Sequence, residues 1–216
     1  FADVVINGTM DQQHVQTSLP LLRAGYDMLL EKPFAVTADE ARELLDCARK
    51  NGNRVMVCHV LRYAHFYQAI KKRLLAGEIG KIITIVSNEY VSYDHMVTSY
   101  VRGKWAKFEN CHSSMLLAKC SHDIDILTWL LGTDHPRSVC SFGSRSLFRA
   151  ENAPKEAGSR CTLDCPLVDR CPYSAKRIYL DRPGAWDGYV WKDFSCKRPD
   201  SMAVMLESLS TDNPYG

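Results

Sequence analysis

The sequence predicts an α/β fold that is built on a parallel β-sheet. Residues 1–6 form a short apolar run rich in β-branched side chains, and residues 26–30 form a second apolar run. Between them, residues 14–24 place apolar side chains at the spacing of an amphipathic helix, which Gly25 ends. A strand, a helix and a second strand within about 30 residues indicate a βαβ unit, whose two strands are parallel.

A second crossover extends this pattern. Thr37 and Glu40 have the spacing of a capping box and predict a helix that runs to about Lys50. Residues 54–60 are the next apolar run, and a helical crossover to it again implies parallel pairing. Ligands of such sheets bind beyond the carboxyl ends of the strands. The residues that follow the three predicted strands are therefore the first candidates for function.

The second predicted strand ends in a charged pair, Glu31 and Lys32, which Pro33 follows. A proline restricts the residue before it to extended geometry, so the lysine is held in one direction. This arrangement favours a functional lysine at the rim of the sheet. The alternative is that the charged pair only begins a solvated loop.

Composition and charge exclude several classes of protein. With 216 residues, of which 46% are hydrophobic, the chain could form one large domain or two small ones. The net charge of +2 leaves no electrostatic footprint for nucleic acid or for an anionic membrane surface. No apolar run approaches the roughly 18 residues of a membrane-spanning helix. The nine cysteines are an odd number and several lie in apolar segments, which favours a reducing cytoplasm.

A set of short motifs runs along the chain: Ala2-Asp3-Val4-Val5, Thr9, His14, Ala24-Gly25, Glu31-Lys32-Pro33, Arg62-Tyr63, Gly77-Glu78-Ile79-Gly80 and His122-Asp123-Ile124-Asp125. Together they resemble the Gfo/Idh/MocA family of nicotinamide-dependent sugar oxidoreductases. The resemblance implies an N-terminal Rossmann domain and a second α/β domain with an open, mostly antiparallel sheet. We therefore expect residues 1–60 to be the later part of the Rossmann domain. Residues 61–216 are expected to be the first part of the α+β substrate domain.

A Rossmann domain opens with a strand and a Gly-x-Gly-x-x-Gly turn, which binds the pyrophosphate at a helix N-terminus. The sequence contains no such turn, and its last residues end without a closing element. We expect an internal fragment, inactive by itself, of a protein of roughly 350–400 residues, as the resemblance implies. The resemblance also implies a homo-oligomer that forms through the sheet of the second domain.

NAD or NADP is the cofactor that the resemblance implies. Its binding residues are expected at the strand ends and in the adjoining loops: Gly8, Thr9, Met10, His14, Glu31, Lys32 and Arg62. His14 could equally be a packed helical histidine. The guanidinium of Arg62 presents a fork of donors that suits a carboxamide, sugar hydroxyls or a phosphate, and a surface salt bridge is the alternative.

The pattern changes after the third strand. Residues 65–75 predict an amphipathic helix. Residues 81–93 alternate in polarity and predict a long strand with one buried face, and residues 136–149 predict another strand. Residues 173–180 predict a helix, and residues 186–191 an aromatic loop.

Residues 93–95 and 100–105 form a loop rich in aromatic and basic side chains between the two predicted strands 81–93 and 136–149. This composition predicts substrate recognition. Aromatic faces stack on the C–H surfaces of sugars, while Arg and His donate hydrogen bonds to hydroxyl groups. The expected substrate residues comprise this loop, one residue after the third strand and one on a later helix: His59, Tyr93, His95, Arg102, Trp105 and Asp125. The alternative for the loop is ordinary packing.

A second chemical centre lies on the helix that residues 114–131 predict. Lys119, His122 and Asp125 are spaced three residues apart, so they project from adjacent positions of that helix. Three ionisable side chains on one face indicate chemistry, although a lone buried histidine is more often structural.

The resemblance implies a catalytic Asp-x-x-x-His pair on this helix. His122 matches the histidine, whereas Ala118 stands at the position of the aspartate. Lys119 or Asp123 is expected to take over orientation or proton transfer. The alternative is that Asp123 only forms an ion pair with Lys119.

Three clustered cysteines, Cys161, Cys165 and Cys171, resemble a metal knuckle. Thiolates at short spacing can share one tetrahedral zinc ion, with Cys196 or a residue beyond the chain as the fourth ligand. A structural zinc site is therefore expected here. An iron–sulfur cluster and the absence of any metal are the alternatives.

These motifs favour an NAD(P)-dependent dehydrogenase that acts on a sugar, a sugar derivative or a cyclitol. His122 is expected to be the base, because an unperturbed pKa of about 6.5 suits proton transfer at neutral pH. Lys32 is expected to stabilise negative charge on the reacting oxygen. One alternative is an NAD-dependent glycosidase that oxidises its substrate transiently. Another is a ligand-binding relative without turnover.

Overall fold

The computed structural model describes residues 2–132, 136–182, 190–191, 201–211, 213 and 215. The chain divides into two compact units. The first comprises Phe1–Glu89 and Phe108–Val139, and the second comprises Tyr90–Lys107 and Cys140–Gly216. The predicted domain boundary near residue 60 stays a prediction. Most of the predicted aromatic loop, residues 186–189, lies outside the described residues.

The first unit contains a parallel sheet of three strands. They are β1 (Val4–Asn7), β2 (Asp27–Leu30) and β3 (Val55–Val57), in the spatial order β1-β2-β3. Each strand pairs with its neighbour in parallel, and Leu29 lies opposite Ile6 on one side and Met56 on the other. The parallel sheet with two helical crossovers is therefore confirmed.

Helices α1 (His14–Arg23) and α2 (Ala38–Asn51) connect these strands. The predicted capping box opens α2: the hydroxyl of Thr37 accepts a hydrogen bond from the amide of Glu40, whose carboxylate accepts one from the amide of Thr37. Gly52 ends α2 in the left-handed conformation, with a φ of 71°. Sequence-local signals thus fix both ends of this helix.

The core of the first unit lies where α1 and α2 pack against the sheet. Its buried side chains are Val15, Leu19, Leu22, Met28, Leu30, Ala35, Leu44 and Ala48. Each of the larger ones stabilises the fold by about 1.5–3 kcal/mol relative to an exposed side chain. This core fixes the carboxyl ends of β1 and β2, where the candidate residues lie.

Two further helices complete the first unit, α3 (His65–Leu75) and α4 (Ser121–Leu131). Lys71 on α3 donates hydrogen bonds to the carbonyl oxygens of Trp129 and Leu130 in the last turn of α4, at 2.6 and 3.2 Å. A cation at this position satisfies carbonyl groups that the helix leaves unpaired and complements the helix dipole. These bonds tie α4 to α3.

The second unit is organised around a separate core. Its elements are the one-turn helix Tyr93–Met96, which continues into the π-helical segment Val97–Val101, a second π-helical segment Lys176–Leu180, and α5 (Met202–Ser210). The core side chains are Val97, Ala175, Ile178, Tyr179, Leu180, Val190, Trp191, Met205, Leu209 and Tyr215.

The antiparallel sheet expected in the second half is not formed by the described residues. The segments predicted as strands, 81–93 and 136–149, carry no strand within the described ranges. A strand is stabilised by ladder hydrogen bonds to a neighbour, and neither segment is paired with one. Ile83, predicted to face a core, is accordingly 85% exposed. In the described part of the chain, no helix combines the length and the hydropathy that crossing a bilayer requires.

Candidate active site

The side chain of Lys32 extends from the carboxyl end of β2 and is fixed by a long-range contact. Its Nζ donates a hydrogen bond of 2.7 Å to the carbonyl oxygen of Ala118. Burial lowers the pKa of Lys32 below its ordinary value of 10.5, the charges of Asp11 and Glu31 oppose that decrease, and the charge of Lys119 adds to it. The sequence predicted an aimed lysine, but the acceptor lies 86 residues away.

A break in the helix predicted for residues 114–131 supplies that acceptor. The segment forms a one-turn helix, Met115–Ala118, and α4 begins only at Ser121. In a continuous helix, the amide of His122 would donate to the carbonyl of Ala118. Here it donates to the carbonyl of Lys119 at 3.4 Å, and the Ala118 oxygen receives the ammonium of Lys32. The helix break thus leaves the Ala118 carbonyl without the amide of His122 and available to the ammonium of Lys32.

His122 lies in the first turn of α4, close to several basic groups. Its pKa is lowered from 6.5 to about 4: burial is the largest cause, the charges of Lys32, His59 and Lys119 add to it, and Asp125 opposes them. Its Nδ1 atom is buried and has no hydrogen-bond partner among the described residues. The imidazole is therefore neutral at pH 7 and can accept a proton, but it is a weaker base than the unperturbed histidine on which its predicted role rested.

The carboxylate of Asp125, on the same helix, contacts two residues that follow β3, Arg62 and His59. Arg62 donates two hydrogen bonds to Asp125, of 2.7 Å from Nε and 2.6 Å from Nη2. Nε2 of His59 lies 3.6 Å from Oδ1 of Asp125, and the rings of His59 and His122 meet edge to face with centroids 6.3 Å apart. The salt bridge, which was the alternative role for Arg62, is the contact that forms. Its partner is Asp125, which was predicted to bind substrate and is 9% exposed.

Lys119 pairs with a residue that sequence reasoning missed. Its Nζ lies 3.1 Å from Oε1 of Glu89. Asp123 has a buried carboxylate oxygen with no hydrogen-bond partner among the described residues, and burial together with the charge of Glu89 raises its pKa. No sequence signal pointed to Glu89, because it lies 30 residues before Lys119 in a segment predicted to be a strand.

The residues after β1 form a hydrogen-bonded loop around a buried histidine. His14 is 1% exposed, and its ring nitrogens lie 2.7 Å from the carbonyl oxygen of Pro33 and 2.9 Å from that of Thr9. The amide group of Asn7 donates to the His14 carbonyl, and its oxygen accepts from the hydroxyl of Thr9 at 2.9 Å. Of the two interpretations of His14, these contacts favour the packed histidine, which ties together the loops that follow β1 and β2.

Gly8 follows β1 directly, and a Cβ atom there would meet nothing within 4 Å. Met10, which follows Thr9, begins the turn Asp11–Gln13. The predicted cofactor residues Gly8, Thr9, Met10 and Glu31 thus lie together at the carboxyl ends of β1 and β2, where dinucleotides bind in folds of this kind. Buried nitrogens without partners at His59 and His122 also suit a polar ligand.

The predicted substrate loop lies in the second unit, and its described contacts are internal to that unit. Arg102 donates a 2.7 Å hydrogen bond to the carbonyl oxygen of Tyr173. The ring of Tyr100 lies between His95 and Trp105, with centroids 5.9 and 6.0 Å apart. The ring of Tyr93 meets that of Tyr173 at 6.3 Å. These contacts favour the alternative of a packed loop.

The predicted zinc knuckle is not supported. Cys161, Cys165 and Cys171 are free thiols, and no group of three or more potential ligands is arranged to hold a metal within the described ranges. The sulfur of Cys161 instead accepts a contact of 3.5 Å from Nη2 of Arg102. The expected fourth ligand, Cys196, lies outside the described residues.

Comparisons with known proteins place the chain among oxidoreductases. Residues 2–59 match the model of the oxidoreductase family's NAD-binding Rossmann fold. Residues 71–166 match the model of the same family's C-terminal alpha/beta domain. The predicted α/β class, with a Rossmann part followed by a second α/β domain, is therefore confirmed.

Curated relatives match over part of their length. YteT of Bacillus subtilis, which carries a provisional oxidoreductase name, is 26% identical over 81% of this chain and 41% of its own length. The 1,5-anhydro-D-fructose reductase of Ensifer adhaerens is 28% identical over 63% of this chain and 40% of its own length. The inositol 2-dehydrogenase of Salmonella paratyphi B is 28% identical over 62% and 36%, respectively. The chain thus spans about two fifths of the length of these relatives.

Among solved structures, the myo-inositol 2-dehydrogenase of Lactobacillus plantarum is similar to this chain with a TM-score of 0.51. The two are 23% identical over 60% of this chain and 38% of that protein. At this level of identity the likeness supports the fold alone. The two family models, the parallel sheet and the motifs at its strand ends together establish that this chain belongs to the Gfo/Idh/MocA family of oxidoreductases.

Proposed function

We propose that the complete encoded protein is an NAD(P)-dependent dehydrogenase that oxidises a hydroxyl group of a sugar, a sugar derivative or a cyclitol. The observation that carries the proposal is the 2.7 Å bond between Lys32 Nζ and the Ala118 carbonyl, one turn before the neutral imidazole of His122. An ammonium group and a proton acceptor close together are the two groups that the oxidation of an alcohol requires.

The proposed roles follow from these positions. Neutral His122 accepts the proton of the substrate hydroxyl. The ammonium of Lys32 donates a hydrogen bond to the same oxygen and stabilises the negative charge that develops on it. Gly8, Thr9, Met10 and Glu31 would hold the dinucleotide at the carboxyl ends of β1 and β2. A nicotinamide cofactor, when bound, supplies the hydride acceptor.

The substrate class rests on the relatives. A 1,5-anhydro-D-fructose reductase and an inositol 2-dehydrogenase, both 28% identical to this chain, carry names of enzymes that act on a sugar derivative and a cyclitol. A buried, polar set of side chains around His122 is compatible with a polyhydroxylated substrate. We also propose a homo-oligomer in the reducing cytoplasm. Light scattering on the purified protein and fluorescence localisation in its source cells test these two points.

The test of the proposed chemistry is Lys32→Ala in the complete encoded protein. Removal of one donor to a developing oxyanion should lower kcat by about 10²–10³-fold, whereas the Kd for NADH should change little. Steady-state turnover of inositol and aldoses, with NADH followed by absorbance, measures the first quantity. Isothermal titration measures the second.

The matched control is Lys50→Ala, which removes an exposed lysine from the last turn of α2 and should leave kcat unchanged. A kcat for Lys32→Ala within threefold of the wild-type value would refute the assignment. Release of sugar product without any accumulation of free NADH would replace the dehydrogenase by the transient-oxidation glycosidase.

A further inference from the structure

The ion pair between Lys119 and Glu89 is not used by the proposed chemistry, although it lies at the same place. Its atoms are 3.1 Å apart, and the two side chains are only 26% and 34% exposed. A half-buried pair with fixed geometry constrains its members more than an exposed surface pair does. The ammonium of Lys119 is therefore held in one position.

That position matters because the charge of Lys119 acts on both proposed catalytic groups. It lowers the pKa of His122, and it lowers the pKa of Lys32. The other charged groups that act on His122 are Lys32, His59 and Asp125, and those that act on Lys32 are Asp11 and Glu31. Asp125 is already bonded to Arg62 through both of its oxygens. Lys119 forms its described ion pair with Glu89, and its charge also lowers the pKa of Asp123.

We infer that Glu89 is a positioning residue of the candidate active site, which holds the ammonium of Lys119 in place next to His122. The inference rests on the proposed function, since it assigns Glu89 a part in that chemistry. Glu89 touches neither proposed catalytic group in any described contact and acts through Lys119. The charge of Glu89 also raises the pKa of Asp123, on which burial has the larger effect.

The inference has a consequence with a definite sign. Without Glu89, the ammonium of Lys119 loses its 3.1 Å contact and, with its side chain already one quarter exposed, moves toward solvent against the remaining attraction of Asp123. A positive charge then leaves the surroundings of His122, and the pKa of the imidazole rises. Removal of Lys119 itself must have the same effect, and Glu89 must have no further effect once Lys119 is absent.

The experiment is a double-mutant cycle in the complete encoded protein with Glu89→Gln and Lys119→Met. NMR of ¹³C-labelled histidine follows the titration of His122, whose signal is identified by its loss in His122→Asn. Each single variant should raise the pKa of His122 by about 0.5–1 unit, and the double variant should match Lys119→Met. The acid limb of kcat/KM should move to higher pH by the same amount.

Glu78→Gln is the matched control, because it breaks an exposed Glu–Arg pair of nearly the same length, 3.2 Å to Arg73. It should change neither the titration nor the pH profile. Glu89→Asp, which keeps the charge, should restore part of the wild-type titration. An unchanged titration in Glu89→Gln, or effects of the two single variants that add in the double variant, would overturn the inference.

The titration separates this inference from the proposed function. Suppose that the wild-type protein turns over sugars with NAD(P) but the pKa of His122 is the same in Glu89→Gln as in the wild type. The inference then fails and the dehydrogenase proposal stands. If no variant shows turnover while the cycle behaves as expected, Glu89 positions Lys119 and the dehydrogenase proposal fails.

Discussion

Two bases near the end of β2 respond to burial with different consequences. The imidazole of His122 has its pKa lowered to about 4, which leaves it neutral at pH 7. Lys32 begins from a pKa of 10.5, and the acidic side chains of Asp11 and Glu31 oppose the effect of burial. The same partly desolvated surroundings therefore provide a proton acceptor next to a hydrogen-bond donor.

These directions predict the pH dependence of turnover. The base must be unprotonated, so kcat/KM should stay level as the pH falls through 6.5 and should decline only near the pKa of His122, about 4. The ammonium must stay protonated, so kcat/KM should decline on the alkaline side below the ordinary lysine pKa of 10.5. A kcat/KM profile from about pH 3 to about pH 11 measures both limbs, within the range in which the fold stays intact. An acid limb centred near 6.5 would contradict the assigned surroundings of His122.

Sequence reasoning proposed single residues but not the contacts between them. Lys32 and His122 were predicted from local motifs, and their catalytic roles stay predictions. The fork between Arg62 and Asp125 and the pair of Glu89 with Lys119 join residues 63 and 30 positions apart. Spacing along one chain carries no signal for such contacts, so Arg62 and Asp125 were expected to bind ligands, and Glu89 was not expected at all.

At the scale of elements, a loop of the second unit depends on one glycine. A Cβ atom at Gly103 would lie 2.2 Å from the carbonyl oxygen of Thr98 and 3.1 Å from that of Ser99. Backbone atoms cannot move away as a flexible side chain can. The stretch around Arg102 and Trp105 therefore keeps its close approach to the segment Val97–Val101 only with glycine at this position.

We expect Gly103→Ala to destabilise the protein by about 1–3 kcal/mol, since the added methyl group overlaps backbone atoms. Urea unfolding of the variant measures the change in the free energy of unfolding. Gly143→Ala is the control in the same unit, because a Cβ atom there meets nothing within 4 Å. Equal stabilities of the two variants would show that the close approach is not required.

The boundaries of elements show which signals are local. The capping box at Thr37 was predicted correctly, because its two hydrogen bonds act within a few residues. The helix expected across residues 114–131 was wrong in one respect, since it breaks between Ala118 and Ser121. The apolar periodicity runs through this break, whereas the ammonium of Lys32, which binds the carbonyl group there, comes from another element.

At the scale of the whole molecule, the parallel sheet and the α/β class were predictable, because strands of this kind pair in sequence order through helical crossovers. The antiparallel sheet was not found at the expected segments in the described part of the chain. Alternating polarity predicts that a segment can be a strand, but pairing depends on partners at other positions.

Cofactor binding should stabilise the complete encoded protein. A ligand that binds only the folded state adds about 2.7 kcal/mol at a concentration of 100 times its Kd, which a thermal shift with NADH measures. Lys32→Ala should retain most of this shift, because Lys32 is assigned to the reacting oxygen. The absence of any shift with NADH and NADPH would contradict a nicotinamide cofactor.

The acceptor that orients Lys32 belongs to the main chain, and every amino acid offers that same oxygen. Residue 118 is already an alanine, so an alanine scan carries no information about this contact. A change that shifts the main chain here, such as a larger side chain at the buried Ala118, takes the anchor away. The orientation of the lysine thus depends on the path of the backbone at this position and not on the chemical identity of a side chain.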